Sequence, residues 1–196
     1  MSTSVSSKTT LVYIHGFNSS PQSYKAELTR RWLEQYPLTI AFACPFLSPL
    51  PEPAMAQLHK KMTELDGDVV LLGSSMGGFY ATFLAEQYGC KAVLVNPAVR
   101  PWLGREYLLG EQANYHTGER CVIEPQHLEQ LQAFEIAEIT RPERIKVLLQ
   151  TGDEVLDYRL AMEKYLGCQV LVEQGGDHSF IGFEQHLADI GAFLFE

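Results

Sequence analysis

The sequence predicts a three-layer α/β protein, with one parallel sheet of six strands and helices on both of its faces. Three observations carry this. Short apolar runs alternate with helix-length segments along most of the 196 residues, and strands separated by helices pair in parallel. Val69-Val70-Leu71-Leu72 runs through Gly73-Ser74-Ser75-Met76-Gly77 into Gly78-Phe79-Tyr80-Ala81-Thr82-Phe83-Leu84-Ala85, which reads as strand, sharp turn, helix. Two later apolar runs end in loops that present Asp153 and His178.

In chain order, the first strand is 10–14, from Leu11-Val12-Tyr13-Ile14, and it feeds the loop His15-Gly16-Phe17-Asn18-Ser19-Ser20. A helix at 22–35 leads to a second strand at 39–43. The proline-rich loop Cys44-Pro45-Phe46-Leu47-Ser48-Pro49-Leu50-Pro51 follows. Pro53 suits the first turn of a helix at 53–65. The third strand is 69–73, the next helix 77–88, and the fourth strand 91–95. Residues 98–140 interrupt the alternation; they hold Trp102, Tyr107, Leu108, Leu109, Tyr115 and Phe134, with a helix expected at 125–135. Alternation resumes with a strand at 146–150, a helix at 157–166 that Asp157 can cap, a strand at 169–174 and a helix at 183–195. No internal repeat or low-complexity segment is present.

Composition bounds the function. A chain of this length forms one domain. The net charge is −9 with no basic run, which argues against a nucleic-acid partner. The stretch Met1-Ser2-Thr3-Ser4-Val5-Ser6-Ser7-Lys8 lacks the apolar core of a signal peptide and reads as a frayed tail. Val69 to Ala85 is uncharged, but it is slightly short and broken by glycines, so it reads as a buried strand and helix and not as a membrane span. Cys44, Cys90, Cys121 and Cys168 form no C-x-x-C pair and read as reduced thiols of a cytoplasmic protein. The scattered histidines suggest no metal site, and no cofactor is expected.

The candidate site follows from the turn around Ser75. A serine at the tip of a strand-to-helix elbow is exposed for attack on a carbonyl, flanked by Gly73 and Gly77 where a Cβ has little room. The Met76 N–H, at the positive end of a helix, can stabilise an oxyanion. The Phe17 N–H is the candidate second donor, and His15 reads as an organiser of its loop. His178 is the candidate base. The carboxylate that orients it is Asp153, just past a strand end, or Asp157 one turn on, where capping explains it fully; Asp153 is favoured. Asp177 adjoins His178 in sequence and is a poor orienter, because neighbouring side chains diverge.

The order Ser75, Asp153 (or Asp157), His178 is that of α/β-hydrolases. Through Tyr13-Ile14-His15-Gly16-Phe17-Asn18-Ser19-Ser20-Pro21, Gly73-Ser74-Ser75-Met76-Gly77-Gly78-Phe79-Tyr80-Ala81, Asn96-Pro97-Ala98, Asp153-Glu154-Val155-Leu156-Asp157-Tyr158 and Asp177-His178 with Phe180, the chain resembles that superfamily, and in detail the small bacterial esterases of the YqiA type. The resemblance implies the α/β-hydrolase fold in a minimal form, with sheet order 2-1-3-4-5-6. It also implies hydrolysis of carboxylic esters through a Ser-His-Asp triad.

Residues 98–140 then read as a small cap, with Trp102 and Tyr107 on a substrate-pocket wall, or as an excursion that merely covers the sheet. The loop around Phe46 is the candidate opposite wall, and core packing explains its apolar residues equally well. The expected partner is a small-molecule ester or acyl thioester. A thioesterase acting on acyl-CoA, with Arg100 and Arg105 near phosphates, and a non-catalytic binding protein on the same scaffold are the competing readings.

Overall fold

The computed structural model describes residues 8–103 and 108–196. The sequence reading of an N-terminal tail falls mostly on residues outside that range, as do Arg105 and Tyr107. The main sheet holds β1 (Thr9–Ile14), β2 (Ile40–Ala43), β3 (Asp68–Ser74), β4 (Ala92–Val95), β7 (Ile145–Gln150) and β8 (Gln169–Glu173), in the order β2-β1-β3-β4-β7-β8. All five pairings are parallel. Counted within the sheet alone, this is the expected order 2-1-3-4-5-6, and the fold is that of an α/β-hydrolase.

Alternation along the strands decides which helices go where. Val12 and Ile14 of β1 point to one face and Leu11 and Tyr13 to the other, as period-two geometry requires. On the first face lie α2 (Pro51–Glu64), α3 (Met76–Tyr88) and α5 (Tyr158–Lys164); on the second lie α1 (Tyr24–Leu33) and α6 (Leu187–Phe195). Helix α3 is buried over most of its surface, from Met76 through Ala85. Leu71 and Leu84 are fully enclosed, and each such side chain contributes about 1.5–3 kcal/mol by leaving water. Gly89, in the left-handed region, ends α3 with its N–H on the Ala85 carbonyl.

Most elements begin or end one or two residues from the expected bounds, as α1 does at Tyr24–Leu33 where 22–35 was expected, and two of the differences have a local cause. Helix α2 starts at Pro51, not Pro53, because Pro51 sits at its first position with φ already set for a helix. The expected helix at 183–195 opens with a 3-10 turn at Phe183–His186.

One feature was not legible at all. Residues 98–140 contain a hairpin of β5 (Gly110–Ala113) and β6 (Arg120–Ile123), followed by α4 (Pro125–Ala133). The strand Gly110-Glu111-Gln112-Ala113 has no apolar alternation and pairs only with β6, so the usual strand signal is missing.

The chain turns outward in opposite directions from β1 and β3, which are neighbours in the sheet. The crevice beyond their C-terminal ends is where open α/β sheets take ligands. The loop with Phe17 leaves β1 there, and Ser75 leaves β3 there. No helix among the described residues is long and apolar enough to cross a membrane.

Candidate active site

Ser75 sits between β3 and α3 with φ 56° and ψ −122°. This is a strained conformation for a residue with a side chain. It is held by the Ser75 N–H on the Val95 carbonyl at 3.0 Å, and by the Ala98 N–H on the Ser75 carbonyl at 3.0 Å. The neighbouring glycines permit it. A Cβ on Gly77 would lie 1.9 Å from the Ile14 carbonyl oxygen, and one on Gly73 would lie 2.3 Å from that of Gly77. No other residue lets β1, β3 and α3 meet this closely.

His178, in the loop after β8, brings Nε2 to 3.0 Å from Ser75 Oγ. Its Nδ1 faces both oxygens of Asp153, at 2.9 and 2.8 Å. Asp153 is almost fully enclosed, with its side chain 2 % exposed. Its Oδ1 also accepts the N–H groups of Val155 and Leu156, so the carboxylate is rigidly placed. A carboxylate on Nδ1 requires the proton there, which leaves Nε2 as acceptor for the Ser75 hydroxyl; the tautomer follows from this network.

Asp157 is elsewhere. Its Oδ1 accepts the Arg159 N–H at 3.0 Å and caps α5. Asp177 accepts the Ser179 hydroxyl and does not bond His178. Of the two acids weighed from sequence, the structure brings only Asp153 to the histidine.

Phe17 and Met76 both line the cavity beside Ser75. Met76 is the first residue of α3, so its N–H has no acceptor within the helix. Gly16 lets the Phe17 loop approach: a Cβ there would touch the Ser75 Cβ at 3.4 Å. His15 steadies this loop. It is buried, its Nδ1 bonds the Gly16 carbonyl at 2.9 Å, and its Nε2 accepts the Leu47 N–H at 3.2 Å. Burial lowers its pKa below the usual 6.5, so it is a neutral strut between the loops after β1 and β2. The hairpin clips the same loop from outside, with the Tyr115 N–H on the Asn18 carbonyl and Asn114 Nδ2 on the Ser19 carbonyl.

Two buried amides that the sequence reading passed over hold the histidine loop. Asn96 Nδ2 donates to the carbonyls of Asp177 and His178 at 3.0 and 3.3 Å, while its Oδ1 accepts the Gln150 N–H at 3.0 Å. Gln150, at the end of β7, uses its whole side-chain amide. Its Oε1 accepts from the Asp177 and Ile181 N–H groups, and its Nε2 donates to Glu173 and to the Ile181 carbonyl. The available signal was a polar side chain at the last position of an apolar strand, and the Asn-Pro pair after β4. Glu154 adds a further bond, accepting the His178 N–H at 3.0 Å.

The cavity, about 490 Å³, is bordered by Ser75, His178, Phe17, Met76, Leu108 and Leu156 among others. Phe46 and Trp102, expected on its walls, are not there. The Leu47 contact to His15 draws the β2 loop behind the Phe17 loop, and Phe46 ends 6.1 Å from the His15 ring. Trp102 packs edge-on against Phe79 at 5.9 Å and borders a separate small pocket; its large ring is better buried on α3 than beside the site. Tyr107 lies outside the described residues. Arg100 pairs with Glu135 at 2.9 Å and is also absent from the cavity. No group of histidine, cysteine and acidic side chains that could hold a metal occurs among the described residues.

A family model spans residues 10–195, from β1 through α6. The chain belongs to UPF0227, described as an uncharacterised protein family. A UPF0227 protein of Serratia proteamaculans (strain 568) is 26 % identical over 193 residues, covering 93 % of this chain and 97 % of that one. Among solved structures, a protein of Agrobacterium vitis S4 assigned as a hydrolase superposes with a TM-score of 0.76 at 17 % identity, covering 95 % of this chain and 88 % of that chain. Est1E from Butyrivibrio proteoclasticus, solved with ferulic acid bound, superposes with a TM-score of 0.71 at 14 % identity, covering 96 % and 90 %. At these identities the structural likeness speaks for the α/β-hydrolase fold, which this UPF0227 chain shares.

Proposed function

We propose that this protein is a serine esterase that hydrolyses carboxylic esters of small molecules. One observation carries the reading: Ser75 Oγ, His178 and the enclosed Asp153 stand in line within hydrogen-bond distance, at the mouth of a cavity large enough for a small ester. The mechanism follows. His178 Nε2 takes the Ser75 proton as Oγ attacks the ester carbonyl. Asp153 keeps the imidazole in the working tautomer and stabilises its cation. The Phe17 and Met76 N–H groups receive the oxyanion. His178 returns the proton to the departing alcohol, and a water activated by the same nitrogen resolves the acyl-enzyme. The segment 98–140 acts as a cap that contributes Leu108 and Tyr115 to the wall.

Similarity to a fold rich in esterases and lipases supports the reading, and the completeness of the serine, histidine and aspartate set favours catalysis over a mere binding role. The acyl-CoA alternative loses the support of Arg100, which is paired away from the cavity. We place the protein in the cytoplasm on its four unpaired cysteines. The deciding experiment is Ser75→Ala with 4-nitrophenyl esters and a fluorophosphonate probe. Hydrolysis should fall by on the order of 10⁴-fold or more, and labelling should vanish while the circular dichroism spectrum holds. Undiminished turnover in this variant would refute the mechanism.

A further inference from the structure

The cavity beside Ser75 is chemically divided. On the side of the hairpin, Phe17, Met76 and Leu108 also border a small pocket under α4, so that side is apolar. On the other side stand Tyr13, Ser23, Lys25 and Ser74. They cluster because the Tyr13 phenol neighbours Ser23 and Ser74, and Lys25 lies two residues beyond Ser23.

Several features of this polar side call for an anion. Among the described residues that line the cavity, Lys25 is the only lysine or arginine and Glu154 the only carboxylate, and His178 is committed to Ser75 and Asp153. Lys25 Nζ donates to the Ser179 carbonyl at 2.7 Å, which leaves two of its three N–H bonds available. Burial lowers its pKa to about 8, against the opposing pull of Asp177 and Asp153; at neutral pH it is still charged. Ser23 Oγ, beside the Tyr13 phenol, is buried and makes no hydrogen bond of proper geometry. It stands at the N-cap of the ten-residue α1 without bonding the helix. Tyr24 and Lys25 also border the cavity; as the first two residues of α1, their N–H groups have no acceptor within that helix and lie at the positive end of its dipole. The nearby carboxylates accept hydrogen bonds, Glu154 from the His178 N–H, Asp177 from the Ser179 hydroxyl and Asp153 from His178; these bonds do not remove their charge, so an anion here would be held by direct contacts to Lys25, Ser23 and the helix end.

We propose that the ester taken by this site carries an anionic group, carboxylate or phosphate, bound by Lys25 Nζ, Ser23 Oγ and the N-terminus of α1. Its other arm is apolar and lies against Phe17, Met76 and Leu108. The inference rests on the esterase reading and specifies its substrate class. Because Lys25 also tethers the residue after His178, a lysine that serves only as a tether is the rival account, and the two differ in what they do to selectivity.

The test compares matched substrates: 4-nitrophenyl hexanoate against mono-4-nitrophenyl adipate, and butyl butanoate against the butanoate esters of 4-hydroxybutanoate and of 4-hydroxybutyl phosphate. The readout is the ratio of kcat/KM for the anionic ester over its neutral partner, in wild type, Lys25→Gln, Lys25→Arg and Ser23→Ala. The wild-type ratio should exceed one by on the order of tenfold for at least one anionic ester, and which one it is tells carboxylate from phosphate and acyl from alcohol arm. Lys25→Gln, which keeps a donor for Ser179, should bring that ratio to near one. Lys25→Arg should keep most of it. Ser23→Ala should lower it severalfold, and it serves as the reading if Lys25→Gln does not fold. A wild-type ratio near one for every pair, or a ratio unchanged in both Lys25→Gln and Ser23→Ala, overturns the proposal. Loss of rate by the same factor on neutral and anionic esters marks Lys25 as a tether and overturns it too. Failure of wild type to hydrolyse any of these esters, neutral ones included, would instead count against the esterase reading.

Discussion

Replacing Gln150 with leucine removes four hydrogen bonds at once while keeping a side chain of similar bulk. Three backbone groups of the histidine loop lose their partner: the Asp177 N–H, the Ile181 N–H and the Ile181 carbonyl. A buried polar group left unpaired costs about 1–3 kcal/mol. This loop is only part-buried, so water recovers some of that, and the net loss should be about 2–4 kcal/mol. For a chain of this size the melting temperature should then fall by about 5–15 °C. The same bonds set the position of His178 against Ser75, and a displacement of about 1 Å can cost on the order of 10²-fold in rate. Below its melting temperature, Gln150→Leu should therefore lose about 10- to 100-fold in kcat, with KM changed by less than about threefold. Urea denaturation and steady-state hydrolysis of a 4-nitrophenyl ester measure the two effects separately. A destabilised variant with normal kcat would show that Asn96 and Glu154 suffice to aim the histidine. A variant unchanged in both would refute the claim that these bonds carry any energy.

The two aspartates should separate cleanly. Asp153→Asn should lower kcat by on the order of 10²–10⁴-fold, whereas Asp157→Asn should cost less than about threefold, since asparagine caps a helix almost as well as aspartate; equal effects would undo the assignment. His15 gives a pH signature. Its folded pKa lies below the ordinary 6.5, so the unfolded chain binds more protons in that window, and its contribution is whole above about pH 6.5 and lost as pH falls toward the folded value. Urea denaturation between pH 7.5 and 5 should show stability falling with acid by up to about 1.4 kcal/mol per pH unit from this group. His15→Asn should have a shallower slope, and an identical slope would show that His15 is not held neutral.

Much of the molecule was legible before folding because its signals are local. An apolar run, a glycine pair around a serine and a helix-forming segment are neighbours in the chain. They therefore mark the elbow at Ser75 with no knowledge of what packs on it. Asp157 as a cap is equally local, and the placement of Asp153 and His178 at strand ends follows once the strands are read. The crowding that Gly77 relieves, against the Ile14 carbonyl of a different strand, shows the local pattern and the tertiary contact agreeing.

Tertiary structure alone decided the rest. Sequence position favours Asp153 over Asp157, but which carboxylate reaches His178 across the sheet end is decided by the turn that Asp153 itself organises. The strands of the hairpin lack apolar alternation, and only their pairing over the Asn18 loop reveals them. Phe46 and Trp102 read as pocket walls because large aromatic residues near a site suggest one; packing sent Phe46 behind His15 and Trp102 onto Phe79. Gln150 and Asn96 look like ordinary polar residues at strand ends. Their roles arise from burial, which makes every amide atom seek a partner and finds those partners in the histidine loop, more than twenty-five residues away along the chain. Lys25 turns toward the site for the same kind of reason: α1 packs so that its N-terminus opens onto a cavity that distant strands build.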